Sequence, residues 1–315
     1  GFLTGTLACA FADSNSQLFL ARCITGAFGG LLHAMVLSIA SDLTPLERRG
    51  ESIGIIMSAF SAASVFGVPF SLLMASEFGW QAPFLFLGLI GIPALVASVW
   101  MLPNVCGHLD QRQHKPLQRL FEMLTRPEAV RAHLLITLLM LGQFSVITFL
   151  APYMVANVGF SEQQLAYIYF AGGFITLFTS PWFGKLADRH GALRLFTITT
   201  LASLIPLWII THLPRMEIAA VIIITSSMFI LITGRVIPAM TMITSSVQKE
   251  RRGGFMSVNG SIQQIASGMA SYVAGLLVVK SATGEYQDYD LVGYLAITAS
   301  ILAILVARRL RVVRE

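Results

Sequence analysis

Charge is what this chain has least of. Asp, Glu, Lys and Arg make up 12% of its 315 residues, about half the share in an ordinary soluble domain. Hydrophobic residues make up 55%, more than a soluble fold of this length can hide, so the bilayer is the natural solvent. Cysteine is also scarce. Cys9, Cys23 and Cys106 are the three present, an odd number whose spacing fits neither a disulfide framework nor a metal site. There is no glycine-rich nucleotide loop, no His/Cys/Asp/Glu cluster and no nucleophile–base pair, which sets aside ATP-driven transport, enzymatic chemistry and cofactors. No Met or cationic segment precedes the first apolar run, so the start is not a signal peptide. The run from Gly1 to Ala12 is too short to span a membrane and reads as the tail of a helix whose beginning lies upstream.

Spanning a hydrocarbon core takes about 20 apolar residues as a helix. Nine stretches qualify: 17–41, 52–75, 82–102, 132–156, 163–187, 193–212, 217–245, 254–280 and 291–308. Several contain proline, which membrane helices tolerate where neighbours satisfy the freed backbone. The net charge of +5 suggests nucleic acid only until its distribution is read. Of the 21 Lys and Arg, 17 fall in alternate connections, from Arg48 and Arg49 through Arg308–Arg314. The other connections hold Arg215 and Lys280, and Arg22 and Arg235 lie inside apolar runs. The positive-inside rule places the basic set and the C-terminus in the cytoplasm, and no nucleic-acid partner is expected.

The longest polar stretch, 103–131, reads as a cytoplasmic linker, helical near Leu117–Leu124. It divides the chain into an N-terminal bundle, 1–102, and a C-terminal bundle, 132–315. A repeat supports two halves: Glu47-Arg48-Arg49-Gly50 recurs as Glu250-Arg251-Arg252-Gly253 at an offset of 203 residues, each copy opening an apolar helix. Repeats of this kind are how transporters are assembled. With six helices per half, two whole helices and part of a third are expected upstream of Gly1.

Gly184-Lys185-Leu186-Ala187-Asp188-Arg189-His190-Gly191, with Arg194 trailing, resembles the loop signature of the major facilitator superfamily. Gly184 is expected to end a helix and let another backbone approach. Asp188 is expected to cap a helix start or pair with an Arg. Phe19-Leu20-Ala21-Arg22-Cys23-Ile24-Thr25-Gly26 resembles the family's fourth-helix motif, in which the Arg is associated with proton coupling; for Arg22, snorkelling to the outer surface is the alternative. Ala63-Ser64-Val65-Phe66-Gly67-Val68-Pro69 resembles the antiporter motif of drug and sugar exporters, departing from it where Val68 separates Gly67 from Pro69. Trp80-Gln81-Ala82-Pro83-Phe84 resembles the start of their sixth helix.

The resemblance covers nearly the whole chain. It implies an all-α integral membrane protein with two pseudo-symmetric helical bundles, holding helices 3–12 of twelve. The implied activity is proton-driven export of a small drug- or sugar-type molecule by alternating access, as a monomer in the plasma membrane. An uptake symporter and a receptor that no longer transports stay open as alternatives. Every Asp and Glu lies in or beside a connection, so the proton site is expected either upstream or at Arg22 and His33. An unperturbed imidazole titrates near neutrality, although an interhelical hydrogen bond is the alternative for His33. Gln143, Arg235, Asn259 and Gln263 are the candidate pocket residues, because polar groups inside spans are costly elsewhere.

Overall fold

The computed structural model describes residues 1–101, 116–282 and 284–310 of the chain. It is helical almost throughout. In order the helices are α1 (Phe2–Ala10), α2 (Asn15–Leu43), α3 (Arg49–Ala62), α4 (Val68–Phe78), α5 (Ala82–Met101), α6 (Pro116–Thr125), α7 (Pro127–Tyr153), α8 (Glu162–His190), α9 (Ala192–Thr211), α10 (Ile218–Ser245), α11 (Lys249–Leu277) and α12 (Tyr289–Ala307). Each of the nine expected spans is a helix or a continuous helical rod, displaced by a few residues at its ends. Cys106 and the first part of the expected linker, 103–115, lie outside the described residues, and its helical part is α6.

Two rods contain π-helical turns. One, Ala63–Gly67, joins α3 to α4, where the antiporter-like motif sits. Pro69 has no amide proton to offer Val65 four residues back, and a wider turn relieves the interrupted ladder. The other, Met154–Val158, extends α7 just past Pro152. A short hairpin, β1 (Val279–Lys280) with β2 (Tyr286–Gln287), links α11 to α12.

Among the described residues six helices are long and apolar enough to cross a membrane: α2, α5, α7 with its π turn, α9, α10 and α12. The less apolar rods, α3–α4, α8 and α11, all pack across the boundary between the early and late helices, α3 on α8 and α2 on α11.

The core has two parts. At the arginine-bearing end it joins both helix groups, with Ala34 and Leu37 of α2 and Ile53 of α3 packed among Leu135, Phe196, Met240 and Phe255. Among the described residues, the core at the opposite end comes from the late group alone, around Leu150, Ile168, Leu207, Met228 and Tyr289. The two groups are therefore welded at one end.

Glycines set how close the weld is. A Cβ on Gly54 of α3 would sit 2.6 Å from the carbonyl oxygen of Ser180 in α8. Gly260 of α11 lies against the Ala34 side chain and the Gly30 carbonyl of α2. Small residues let membrane helices approach backbone to backbone. Gly268 of α11, by contrast, has nothing within 4 Å. Gly54→Ala is expected to destabilise the protein by about 1–3 kcal/mol through overpacking, and Gly268→Ala to be neutral or stabilising by up to about 1 kcal/mol. Thermal unfolding of the full-length protein in detergent measures both, and equal effects would contradict this packing.

Candidate functional site

Asp188 does at the weld what an N-cap does for its own helix, but across two helices. The first amides of α3 have no acceptor inside α3. Asp188, near the end of α8, accepts from Gly50 N through Oδ1 and from Glu51 N through Oδ2, both at 2.8 Å. Its negative charge also lies at the positive end of the α3 dipole. Burial pushes the Asp188 carboxyl up, and the amides of Glu51 and Gly50 pull it back only in part.

The approach requires two glycines. A Cβ on Gly184 would fall 2.2 Å from the Gly50 carbonyl oxygen, and one on Gly50 would fall 2.5 Å from Asp188 Oδ1. Gly184 does not end its helix, as the sequence suggested, because α8 runs on to His190. The stop is Gly191, whose φ of +88° belongs to the left-handed region that glycine tolerates best. Lys185 and Arg48 flank the cap and both reach Glu51, at 3.4 and 3.2 Å. These pairs face solvent and add little. Arg189 is exposed and, with Glu47, Glu51, Lys185 and Asp188, lines a surface cleft of about 250 Å³. Arg194 is exposed in the first turn of α9.

The second strip, α2 on α11, is tied by the repeated arginines, which sequence reasoning used only as a sign of duplication. Arg252 of α11 is 1% exposed. Its Nη1 donates to Asp42 Oδ1 of α2 at 2.5 Å, and its Nε and Nη2 donate to the carbonyls of Thr244 and Val247. Arg49, its counterpart in the first repeat, is buried and donates through Nη1 to Ser245 Oγ at the end of α10, at 3.1 Å. Asp42 and Ser245 stand at the same offset as the arginines. Each group therefore sends one arginine into the other.

The remaining expected residues are dispersed. Arg22 is exposed, with its guanidinium carbon 5.9 Å from the ring centre of Phe84 in α5. His33 is exposed beside Ala34. Arg235 is fully buried and turned toward α9 and α12, donating through Nη1 to Ser300 Oγ at 2.9 Å and Ser203 Oγ at 3.5 Å. Gln143 and Gln263 are half-buried, each with an unpartnered Oε1. Asn259 is fully buried against His133. Gly67 closes the π turn, and Pro69 lies in the first turn of α4.

Asp42→Asn removes the carboxylate that Arg252 Nη1 meets and is expected to cost about 3 kcal/mol. Ser245→Ala removes one neutral acceptor and should cost about 1 kcal/mol. Thermal unfolding of the full-length variants tests this order, and equal losses would contradict it.

Comparison with known proteins fits this architecture. The chain is 25% identical over 223 residues to the uncharacterized MFS-type transporter YtbD of Bacillus subtilis (strain 168), covering 71% of this chain and 55% of that protein. It is 26% identical over 171 residues to the purine ribonucleoside efflux pump NepI of Shigella sonnei (strain Ss046), covering 53% of this chain and 42% of that protein. The chain thus matches about half the length of these two relatives. Its fold is similar to the crystal structure of a bacterial homologue of the iron transporter ferroportin in the outward-facing state, with a TM-score of 0.71 at 16% identity over 98% of this chain and 80% of that one. The family model for the Major Facilitator Superfamily matches residues 1–271 and again 132–315. This multi-pass membrane chain belongs to the Major Facilitator Superfamily, a family of transporters rather than enzymes.

Proposed function

We propose that the full-length protein is a secondary transporter of the plasma membrane that exports a small organic molecule in exchange for protons. In this reading the arginine-bearing end and the C-terminus face the cytoplasm, as the loop charges require. The two domains are residues 1–102 and 132–315, joined by 103–131, and they rock about a central site. The observation that carries the reading is the weld: both helix groups share a core, the Asp188 cap and two crossing arginines at that one end, while among the described residues the core at the other end belongs to the late group alone. Transport then consists of breaking these contacts to open the cytoplasmic side and remaking them to close it. Arg189 and Arg194 hold the loop on the cytoplasmic side.

Substrate meets the polar side chains between the groups, Gln143, Asn259 and Gln263 among them. Arg22 and His33 are the proton-coupling candidates on α2, and Gly67 and Pro69 mark the exporter-like helix. The efflux activity in NepI's name favours export over uptake.

Full-length protein in vesicles with an imposed pH gradient tests the direction. Substrate movement opposite to the proton flow is expected, measured first with purine ribonucleosides, sugars and other small organic solutes. Substrate carried with inward-moving protons would establish uptake instead, and no flux of any solute would remove transport from the reading.

A further inference from the structure

His133, which sequence reasoning passed over, stands two turns into α7 and is 7% exposed. Its Nε2 lies 3.0 Å from the carbonyl oxygen of Met123 in α6, and its Nδ1 lies 3.4 Å from Oδ1 of Asn259 in α11. The ring stacks on Phe255 of α11 with centres 5.0 Å apart. Both ring nitrogens thus face acceptors. A carbonyl oxygen cannot donate, so Nε2 carries a proton. Nδ1 facing an amide oxygen needs one too, and an imidazole with two N–H groups is a cation.

The neutral ring fits the same place in one other way. If the Asn259 amide turns end for end, Nδ2 donates to a bare Nδ1 while Nε2–H keeps Met123. Asn259 is 0% exposed, and its Nδ2 has no partner as the amide now stands. The amide therefore has a use for either orientation, and the protonation state of the ring selects between them.

Access and output are both present. A cleft of about 250 Å³ at the arginine-bearing end is lined by Met123 and Phe255, which touch the ring, and by Ala129 one turn before it in α7. On the far side, Asn259 begins a polar row along α11 with Gln263, Ser267 and Ser271. Ser267 Oγ donates to the Gln263 carbonyl at 2.8 Å, and Ser271 Oγ lies 2.8 Å from Thr148 Oγ1 of α7. The residue after Asn259 is Gly260, the point where α11 rests on α2.

We propose that His133 is a proton-binding site of the late helix group, loaded through this cleft, and that Asn259 reverses its amide as the proton comes and goes. The proton arrives from water in the cleft and bonds to Nδ1; no other bond changes. Among the residues with described side chains, the charged groups at this end of the packed elements are Glu122 and Arg126 of α6, Glu128 and Arg131 of α7, Asp42 of α2, Arg251 and Arg252 of α11, and Arg308 and Arg309 of α12. Glu122 is held by Arg126 and Arg251 at 2.9 and 3.6 Å, and Asp42 by Arg252, so the neutral amide of Asn259 is what the ring's Nδ1 meets. The site rests on the proton-driven reading above only for its effect on flux.

Nitrogen NMR of the full-length protein with labelled histidine tests the proposal, with His133→Gln identifying its signal among the six histidines. On acidification both ring nitrogens are expected to become protonated. Asn259→Asp places a fixed acceptor at Nδ1 and should hold the proton there. His133→Gln should flatten the pH profile of substrate exchange with KM within about twofold, a change that a purely structural histidine would not produce. One unchanged tautomer from pH 5 to 8.5, a bare Nδ1 in Asn259→Asp, or a wild-type pH profile in folded His133→Gln would overturn it. If His133 titrates as described while flux ignores the pH gradient, the site stands and the proton-driven reading fails.

Discussion

The first amides of α3 have nothing in their own helix to bind, and once α8 closes over them they have little water either. Leaving such a donor buried and unpaired costs about 1–3 kcal/mol. Asp188 removes that cost, but it reaches the amides only because no side chain stands at Gly50 or Gly184. The rest of the weld follows from this geometry. With α3 seated on α8, Arg49 reaches Ser245, Ile53 enters the shared core and Gly54 rests on the Ser180 carbonyl. The cap and the two bare backbones are one device.

The second strip shows what duplication keeps and what it changes. The arginines survive in both repeats and cross in opposite directions, as a two-fold relation demands. Their acceptors have diverged, a carboxylate at Asp42 and a hydroxyl at Ser245. The Arg252–Asp42 contact is an ion pair, while the Arg49–Ser245 contact ends on a neutral oxygen.

Much of the fold was legible before any coordinates. Apolar run length marked the nine spans because lipid leaves the backbone no partner outside a helix. The loop signature pointed to Asp188 because its residues stand together in one short stretch, 184–191. What it caps was not legible, because the amides of Gly50 and Glu51 stand 138 and 137 residues before the aspartate that accepts from them. Asp42, Arg252 and His133 were missed for the same reason: each takes its meaning from a partner on a distant helix. A signal for the arginines did exist in the repeat, where basic residues in loops invite a topological explanation that is true but incomplete. Arg235 meets hydroxyls of its own helix group through Nη1, while its Nε and Nη2 are buried without a hydrogen-bond partner among the described residues.

The Gly50–Gly184 contact has a mechanical consequence. Side chains yield by degrees, changing rotamer and sliding past one another. Two bare backbones held by a pair of 2.8 Å hydrogen bonds have no such slack. A displacement of an ångström leaves both amides and the carboxylate without partners together. The joint therefore has the character of a latch rather than a spring.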